Sequence, residues 1–265
     1  MDLGLKGRLA VVTGATKGIG HAVAGALLDE GASVFVHGSR QSTVDDAVRR
    51  LQDRGDVHGV AGDLADPATP AAIAESVGAV GTLDVLVCNA AVYWVKSYFD
   101  LTDADWHQTL ETNLLSGARL AQRFLPAMLE QDWGRIVFVS SDYALQPNPD
   151  MMPYSVSKAA MMSLSRGLAV LTRGTGVTVN TAIAGPTWTE GAAAFLDQGN
   201  PEGRDVEEVK REFFQPGGFL PDTLTGRFAA PDEVASVVTF LCSERASAVT
   251  GAAQRAEGGT VKSAF

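Results

Sequence analysis

Tyr154 and Lys158 stand four residues apart in a stretch of helical spacing, so both side chains leave one helix face a single turn apart. A free tyrosine, with a pKa of about 10, is a poor acid or base at neutral pH. A neighbouring ammonium favours the phenolate and lowers that pKa, which makes the phenol a usable proton donor and acceptor. Ser141 closes the strand-like run from Arg135 to Ser140. It places a hydroxyl at the carboxyl edge of that strand, where open α/β sheets bind ligands. Each of these also occurs as an ordinary helix-surface pair or turn start. Together they would offer acid–base chemistry at that edge.

The elements that must position these groups follow from periodicity. Short β-branched runs lie near 8–13, 33–37, 57–61, 83–88, 135–140, 177–183 and 252–256. Helical patterns lie near 18–30, 42–54, 67–79, 103–131, 153–173 and 231–243. Strands alternating with helices imply crossover units and a parallel sheet covered on both faces. Residues 1–265 read as one α/β domain. Its one irregular region, about 189–228, holds Gly191, Gly199, Pro201, Gly203, Pro216, Gly217, Gly218 and Pro221. Phe195, Leu196, Phe213, Phe214, Phe219 and Leu220 are scattered through it, and an insertion both glycine-rich and apolar reads as a lid over a pocket. The alternative is a surface loop with two short helices.

Near the N-terminus, Thr13-Gly14-Ala15-Thr16-Lys17-Gly18-Ile19-Gly20 joins the first strand to the first helix. Such a turn aims backbone N–H groups, at the positive end of a helix dipole, into one space that suits a pyrophosphate. Side chains at Gly14 or Gly18 would hold the phosphates away, and Gly20 lets the helix pack closely. In dinucleotide folds an acidic residue at the tip of the second strand holds the ribose 2′-hydroxyl. Here that tip reads Gly38-Ser39-Arg40. Arg40 offers a fork of donors to a 2′-phosphate, Ser39 a hydroxyl and Lys17 a second positive charge, so NADP(H) is expected over NAD(H).

Asn113 lies beside the apolar stripe of Trp106, Leu110, Leu114, Ala118, Ala121 and Leu125. A partly buried amide there must find partners, through a local break in the helix, an ordered water or a structural hydrogen bond.

A net charge of -10 argues against a nucleic-acid partner. Cys88 and Cys242 fall in apolar runs without metal-ligand spacing, so both are expected as buried, reduced thiols and no metal site is expected. No apolar run reaches membrane-spanning or signal-peptide length, which leads to the expectation of a cytoplasmic protein.

With these residues together, the chain resembles the short-chain dehydrogenase/reductases in their compact, single-domain form. The resemblance runs from about residue 7 to 260. It rests on Thr13–Gly20, Asp63, Asn89-Ala90-Ala91, Asn113, Ser141, Tyr154, Lys158 and Asn180 through Thr189. It implies a Rossmann fold with a doubly wound, seven-stranded parallel sheet and helices on both faces. It further implies hydride transfer between a nicotinamide and a ketone or secondary alcohol. Tyr154 would protonate the carbonyl oxygen, Lys158 would lower its pKa and bind the nicotinamide ribose, and Ser141 would hold the substrate oxygen. Asn113 would order a water that relays protons to Lys158. Asp63 and the backbone of Leu64 would meet the adenine, Asn89 the adenosine-side ribose, and Thr187 and Thr189 the carboxamide. Cofactor contacts are also implied for Gly14, Thr16, Lys17, Gly18, Ile19, Ser39, Arg40, Ala90 and Gly185. Three positions depart from the family pattern: Ala91 in place of glycine, Ala184-Gly185 in place of Pro-Gly, and Glu257 in place of aspartate before Gly258-Gly259.

Tyr93, Trp94, Tyr143, Leu145, Met151, Met152, Trp188 and Phe195 are expected to face the substrate. That set is bulky and apolar, without a cation to fix a carboxylate, and favours a neutral ketone or alcohol. A 3-oxoacyl-[acyl-carrier-protein] reductase is the family alternative, weakened by the acidic Glu130-Gln131-Asp132. A non-catalytic NADP-binding regulatory protein on the same fold is the other. The helix from Pro153 to Arg173 is apolar nearly all round, which suggests a homodimer or homotetramer.

Overall fold

The computed structural model describes residues 1–198 and 203–264; Gly199 and Pro201 of the expected lid lie outside the described residues. β1 (Leu9–Val12) leads through the glycine turn to α1 (Gly18–Asp29), then β2 (Ser33–Gly38), α2 (Gln41–Leu51), β3 (Val57–Ala61), α3 (Thr69–Gly78) and β4 (Val85–Cys88). The second half runs α4 (Asp103–Leu110), α5 (Ser116–Glu130), β5 (Gly134–Ser141), α6 (Met152–Leu171) and β6 (Val177–Ala184). It closes with α7 (Glu190–Gln198), α8 (Val206–Glu212), α9 (Pro231–Cys242) and β7 (Ala253–Ala256).

The seven strands form one parallel sheet in the order β3-β2-β1-β4-β5-β6-β7. Helices cover both faces, because alternate strand residues feed two cores. Ala10 and Val12 of β1 join Val23 and Leu27 of α1 and Val234 and Val238 of α9. Leu9 and Val11 join Ile73 of α3, Leu120 and Met128 of α5, and Met161 of α6 on the other side. The central strands are therefore buried on both faces, as their unbroken apolar runs require. The order reverses between β1 and β4, which opens a crevice at the carboxyl ends of those strands.

The segment expected as one helix over 103–131 is broken in the middle. Thr102 caps α4 in a reciprocal box with Asp105, and Glu111–Leu115 form a wider π-helical turn before α5. That turn is the local break that buries Asn113 to 1% exposure. Among its described residues, the region 189–228 holds two short helices, α7 and α8, followed by turns and bends over 213–228, and its phenylalanines pack on one another.

Candidate active site

Three elements converge at the carboxyl edge. Ser141 is the last residue of β5, fixed in register against Ala184 of β6. Tyr154 and Lys158 lie in the first turns of α6, which carries Pro153 in its opening turn, where no backbone donor is needed. All three line one cavity of about 300 Å³, with Asn89, Gly185 and Thr187 on the sheet side. Lys158 is 2% exposed, and its amine donates to the Val139 carbonyl at 2.7 Å and lies 5.5 Å from the Tyr154 ring centroid. Burial lowers that amine to about 8.

Tyr154 corrects one expectation. Burial pushes its phenol above the ordinary value; the hydrogen bond with Ser141 opposes the rise, and the Asp142 carboxylate adds to it. At 5.5 Å from the ring centroid, the Lys158 amine does not offset an enclosure that also holds the edges of Tyr93 and Tyr143. The phenol thus holds its proton, which is the donor form.

Asn113 reaches this centre indirectly. Its Oδ1 accepts from Val92 N at 2.8 Å, and its Nδ2 donates to Val92 O and to Ser157 Oγ, both at 3.0 Å. With both amide hydrogens committed, the side chain braces the loop after β4 against α6.

The glycine turn has the shape of a phosphate cradle. Gly14 and Gly18 have φ of +63° and +56°, a region that disfavours side chains. A Cβ at Gly14 would stand 2.8 Å from the Ala90 Cα, and one at Gly20 would stand 2.5 Å from the Gly14 carbonyl. Asn89 spends its amide on the Thr13 and Gly14 carbonyls, at 2.9 and 3.2 Å, so it shapes the turn itself. Ile19 lines the main cavity, and Thr16 abuts the end of β2 at Gly38. Beyond it, Lys17, Ser39 and Arg40 are exposed, and neither Lys17 nor Arg40 forms an ion pair among the described residues. Asp63 is exposed and caps the Ala65 N–H at 2.9 Å, while Leu64 is buried beside it. Thr189 packs over Gly18, and Thr187 donates to the Gly185 carbonyl at 3.0 Å. Glycine at 185 is required because a Cβ would meet Glu257 at 2.6 Å, and Glu257 is itself pinned by Arg255 at 2.7 Å and Val261 N at 3.0 Å. The residues fit a dinucleotide laid from Arg40 across the glycine turn to Lys158.

Of the expected substrate residues, Tyr93, Tyr143, Met151 and Phe195 line the cavity. Trp94, Leu145, Met152 and Trp188 do not. Leu145 follows the short turn at Asp142–Ala144 and faces solvent. Trp188 packs on Phe228 with Lys210 over its ring at 4.3 Å, outside the cavity. Trp94 is half-buried, its indole N–H without a hydrogen-bond partner among the described residues. Phe213, Phe219 and Leu220 form the roof with Phe228, which sequence periodicity had not singled out. Asp142 was missed too: being next to Ser141 gives no signal, and a one-turn helix swings it inward.

A parallel sheet with a phosphate cradle at its switch point, and a serine, tyrosine and lysine on one cleft, defines a nicotinamide-dependent oxidoreductase. The comparisons give the family: the short chain dehydrogenase model matches residues 8–199, and the chain belongs to that family. It is 44% identical over 99% of its length to all of the uncharacterized oxidoreductase YvrD of Bacillus subtilis. It is 32% identical over 98% of its length to 99% of the 3-oxoacyl-[acyl-carrier-protein] reductase FabG of Aquifex aeolicus. Among solved structures, the L-sorbose reductase of Gluconobacter frateurii, complexed with NADPH and L-sorbose, aligns with a TM-score of 0.94 at 31% identity. That match covers 99% of this chain and 100% of the other. The protein is an NADP(H)-dependent oxidoreductase of small carbonyl or alcohol substrates.

No helix among the described residues is long and apolar enough to cross a membrane, and no cluster among them has the side chains to hold a metal.

Proposed function

We propose that the protein reduces neutral ketones with a sizeable apolar body, using NADPH. The observation that carries this reading is one cavity whose floor holds Tyr154 and Ser141 and whose roof is phenylalanine, with Lys158 as its sole lining cation among the described residues. When bound, NADPH supplies the hydride. Ser141 Oγ orients the carbonyl oxygen beside the Tyr154 hydroxyl, which passes its proton to that oxygen as negative charge develops there. Lys158 stands behind the phenol and offers its N–H groups to the nicotinamide ribose. Phe213 and Phe219 exclude water, which strengthens each polar contact on the floor.

Apart from Lys158, which is turned to the nicotinamide ribose, a carboxylate or a pantetheine phosphate finds no cation among the described residues of these walls, which favours this reading over an acyl-carrier substrate. A non-catalytic dinucleotide binder would have no use for all of Asn113, Ser141, Tyr154 and Lys158. α6 leaves Val156, Val170 and Leu171 exposed, at 42%, 61% and 68%, and a second copy of the chain fits that apolar strip.

The test is NADPH consumption with a panel of neutral ketones and a 3-oxoacyl thioester, for the parent and Tyr154→Phe. Turnover of neutral ketones by the parent alone supports the reading; equal rates in both proteins, or turnover of the thioester alone, would overturn it. In parallel titrations, Arg40→Ala weakens NADPH binding by about tenfold and leaves NADH binding nearly unchanged.

A further inference from the structure

Asp142 carries a charge that the fold does not use. It is 6% exposed and lines the cavity directly after Ser141. Its Oδ1 accepts from Ser141 Oγ at 2.8 Å and from Tyr143 N at 3.0 Å. An asparagine oxygen would serve both bonds equally well. No cation pairs with Asp142 among the described residues. The nearby Glu257 is paired with Arg255, and Lys262, across a neighbouring groove, is paired with Asp222. A buried, unpaired carboxylate is costly, and its retention at a cavity wall calls for a ligand that repays it. Both of its protein hydrogen bonds end on Oδ1, which turns Oδ2 into a free acceptor.

We propose that Asp142 is a specificity-determining residue that selects ketones bearing a hydroxyl on the carbon next to the carbonyl and turns away ketones bearing a carboxylate there. The inference rests on the reading of Ser141 as the group that holds the carbonyl oxygen. In a 1,2-hydroxy ketone the two oxygens stand one hydrogen-bond length apart, the same spacing that separates Ser141 Oγ from Asp142 Oδ1. When the carbonyl oxygen accepts the single Ser141 O–H together with that of Tyr154, Asp142 Oδ1 loses the Ser141 proton, and the neighbouring hydroxyl donates to the carboxylate in its place. An α-keto acid puts a second negative charge at that point, in a wall where only Lys158 could offset it. The phenylalanine roof receives the rest of the substrate. Burial, with Glu257 adding to it, raises Asp142 to about 6, so the carboxylate is charged in mildly basic solution.

The test compares 2-hydroxyacetophenone, acetophenone and phenylglyoxylate as substrates with NADPH at about pH 8, well above the titration of a carboxyl of this kind. Parent, Asp142→Asn and Asp142→Ala are each read as ratios of kcat/KM within one protein, so a lower active fraction cancels. The parent favours 2-hydroxyacetophenone over acetophenone by about tenfold or more, the size of a lost hydrogen bond to a charged group. Asp142→Ala brings that ratio near unity. Asp142→Asn keeps most of it, because the amide oxygen still accepts, but uses phenylglyoxylate about tenfold better relative to acetophenone. A parent ratio near unity, or a ratio unchanged in Asp142→Ala, would overturn the proposal and leave the ketone-reductase reading standing. Turnover of none of the three by the parent would overturn both.

Discussion

On the floor of the cleft the catalytic side chains are tied to regular structure by directional bonds, whereas the roof side chains meet only through ring contacts, over a turn closed by Leu220 N donating to the Phe213 carbonyl at 2.9 Å. Lys158 is fixed to the Val139 carbonyl, Ser140 Oγ donates to the Lys158 carbonyl at 2.9 Å, and Asn113 bolts the loop after β4 to α6. Above them, Phe213 meets Phe219 at 5.1 Å and Phe228 at 5.0 Å, and Phe195 meets Phe219 at 6.1 Å, in edge-on or tilted pairs without directional bonds. The difference separates chemistry from selection. Proton transfer tolerates little displacement, so its groups sit on strand and helix ends. A surface that accepts an apolar body needs only shape and dryness, which rings packed in the turns after α8 provide.

The largest effect should come from breaking the floor. Lys158→Met is expected to lower kcat by about 10²- to 10³-fold, a loss typical of disrupted acid–base catalysis, with ketone KM nearly unchanged. The same substitution sharpens the contrast through stability. Burial brings the Lys158 amine to about 8 from its ordinary 10.5, so between those values the unfolded chain binds the proton and the folded chain does not. The buried charge therefore costs stability below pH 8, and the cost fades as pH rises toward 10.5. In protein freed of cofactor, Lys158→Met should gain about 2–3 kcal/mol more stability over the parent at pH 7 than at pH 10, read by denaturant unfolding. No pH dependence in that difference would mean that the amine is solvated.

An intermediate effect is expected at the roof. Phe219→Ala removes apolar surface without touching the floor. It should raise KM for bulky ketones by about tenfold while kcat stays within about threefold, and it should matter least for the smallest ketone. A fall in kcat matched by no change in KM would place Phe219 in the chemistry and dissolve the distinction. The smallest effect belongs to the two cysteines, both buried outside the cavity lining, Cys88 beneath the floor near Lys158 and Cys242 at the end of α9. Burial pushes the Cys88 and Cys242 thiols up to about 12, so iodoacetamide should label neither in the native protein and should leave activity unchanged.

The floor was legible in the sequence and the roof only as composition. Ser141, Tyr154 and Lys158 are placed by short-range geometry: a strand end and one helical turn. Asn113 was legible as an amide beside an apolar stripe, and the π-helical turn is the physical answer to burying it. Gly14, Gly18 and Gly20 announced their backbone needs. Asp142 was silent because a one-turn helix inverts its side chain without any periodic signal, and Phe228 because the roof is assembled across 33 residues from Phe195 by tertiary packing. Trp188 shows the converse: its type fits a substrate wall, but Lys210 and Phe228 hold it on the outer side. The direction of the Tyr154 shift was also hidden, since it depends on Tyr93 and Tyr143 closing around the phenol.

The account stands on the Tyr154 hydroxyl as proton donor to a carbonyl held in this cleft. Its most direct test is a single turnover: Tyr154→Phe loaded with one equivalent of NADPH, mixed with saturating neutral ketone, and followed by loss of NADPH absorbance beside the parent. The variant is expected to bind NADPH within about threefold of the parent yet oxidise it at least about 10³-fold more slowly. Oxidation within about tenfold of the parent rate would contradict it.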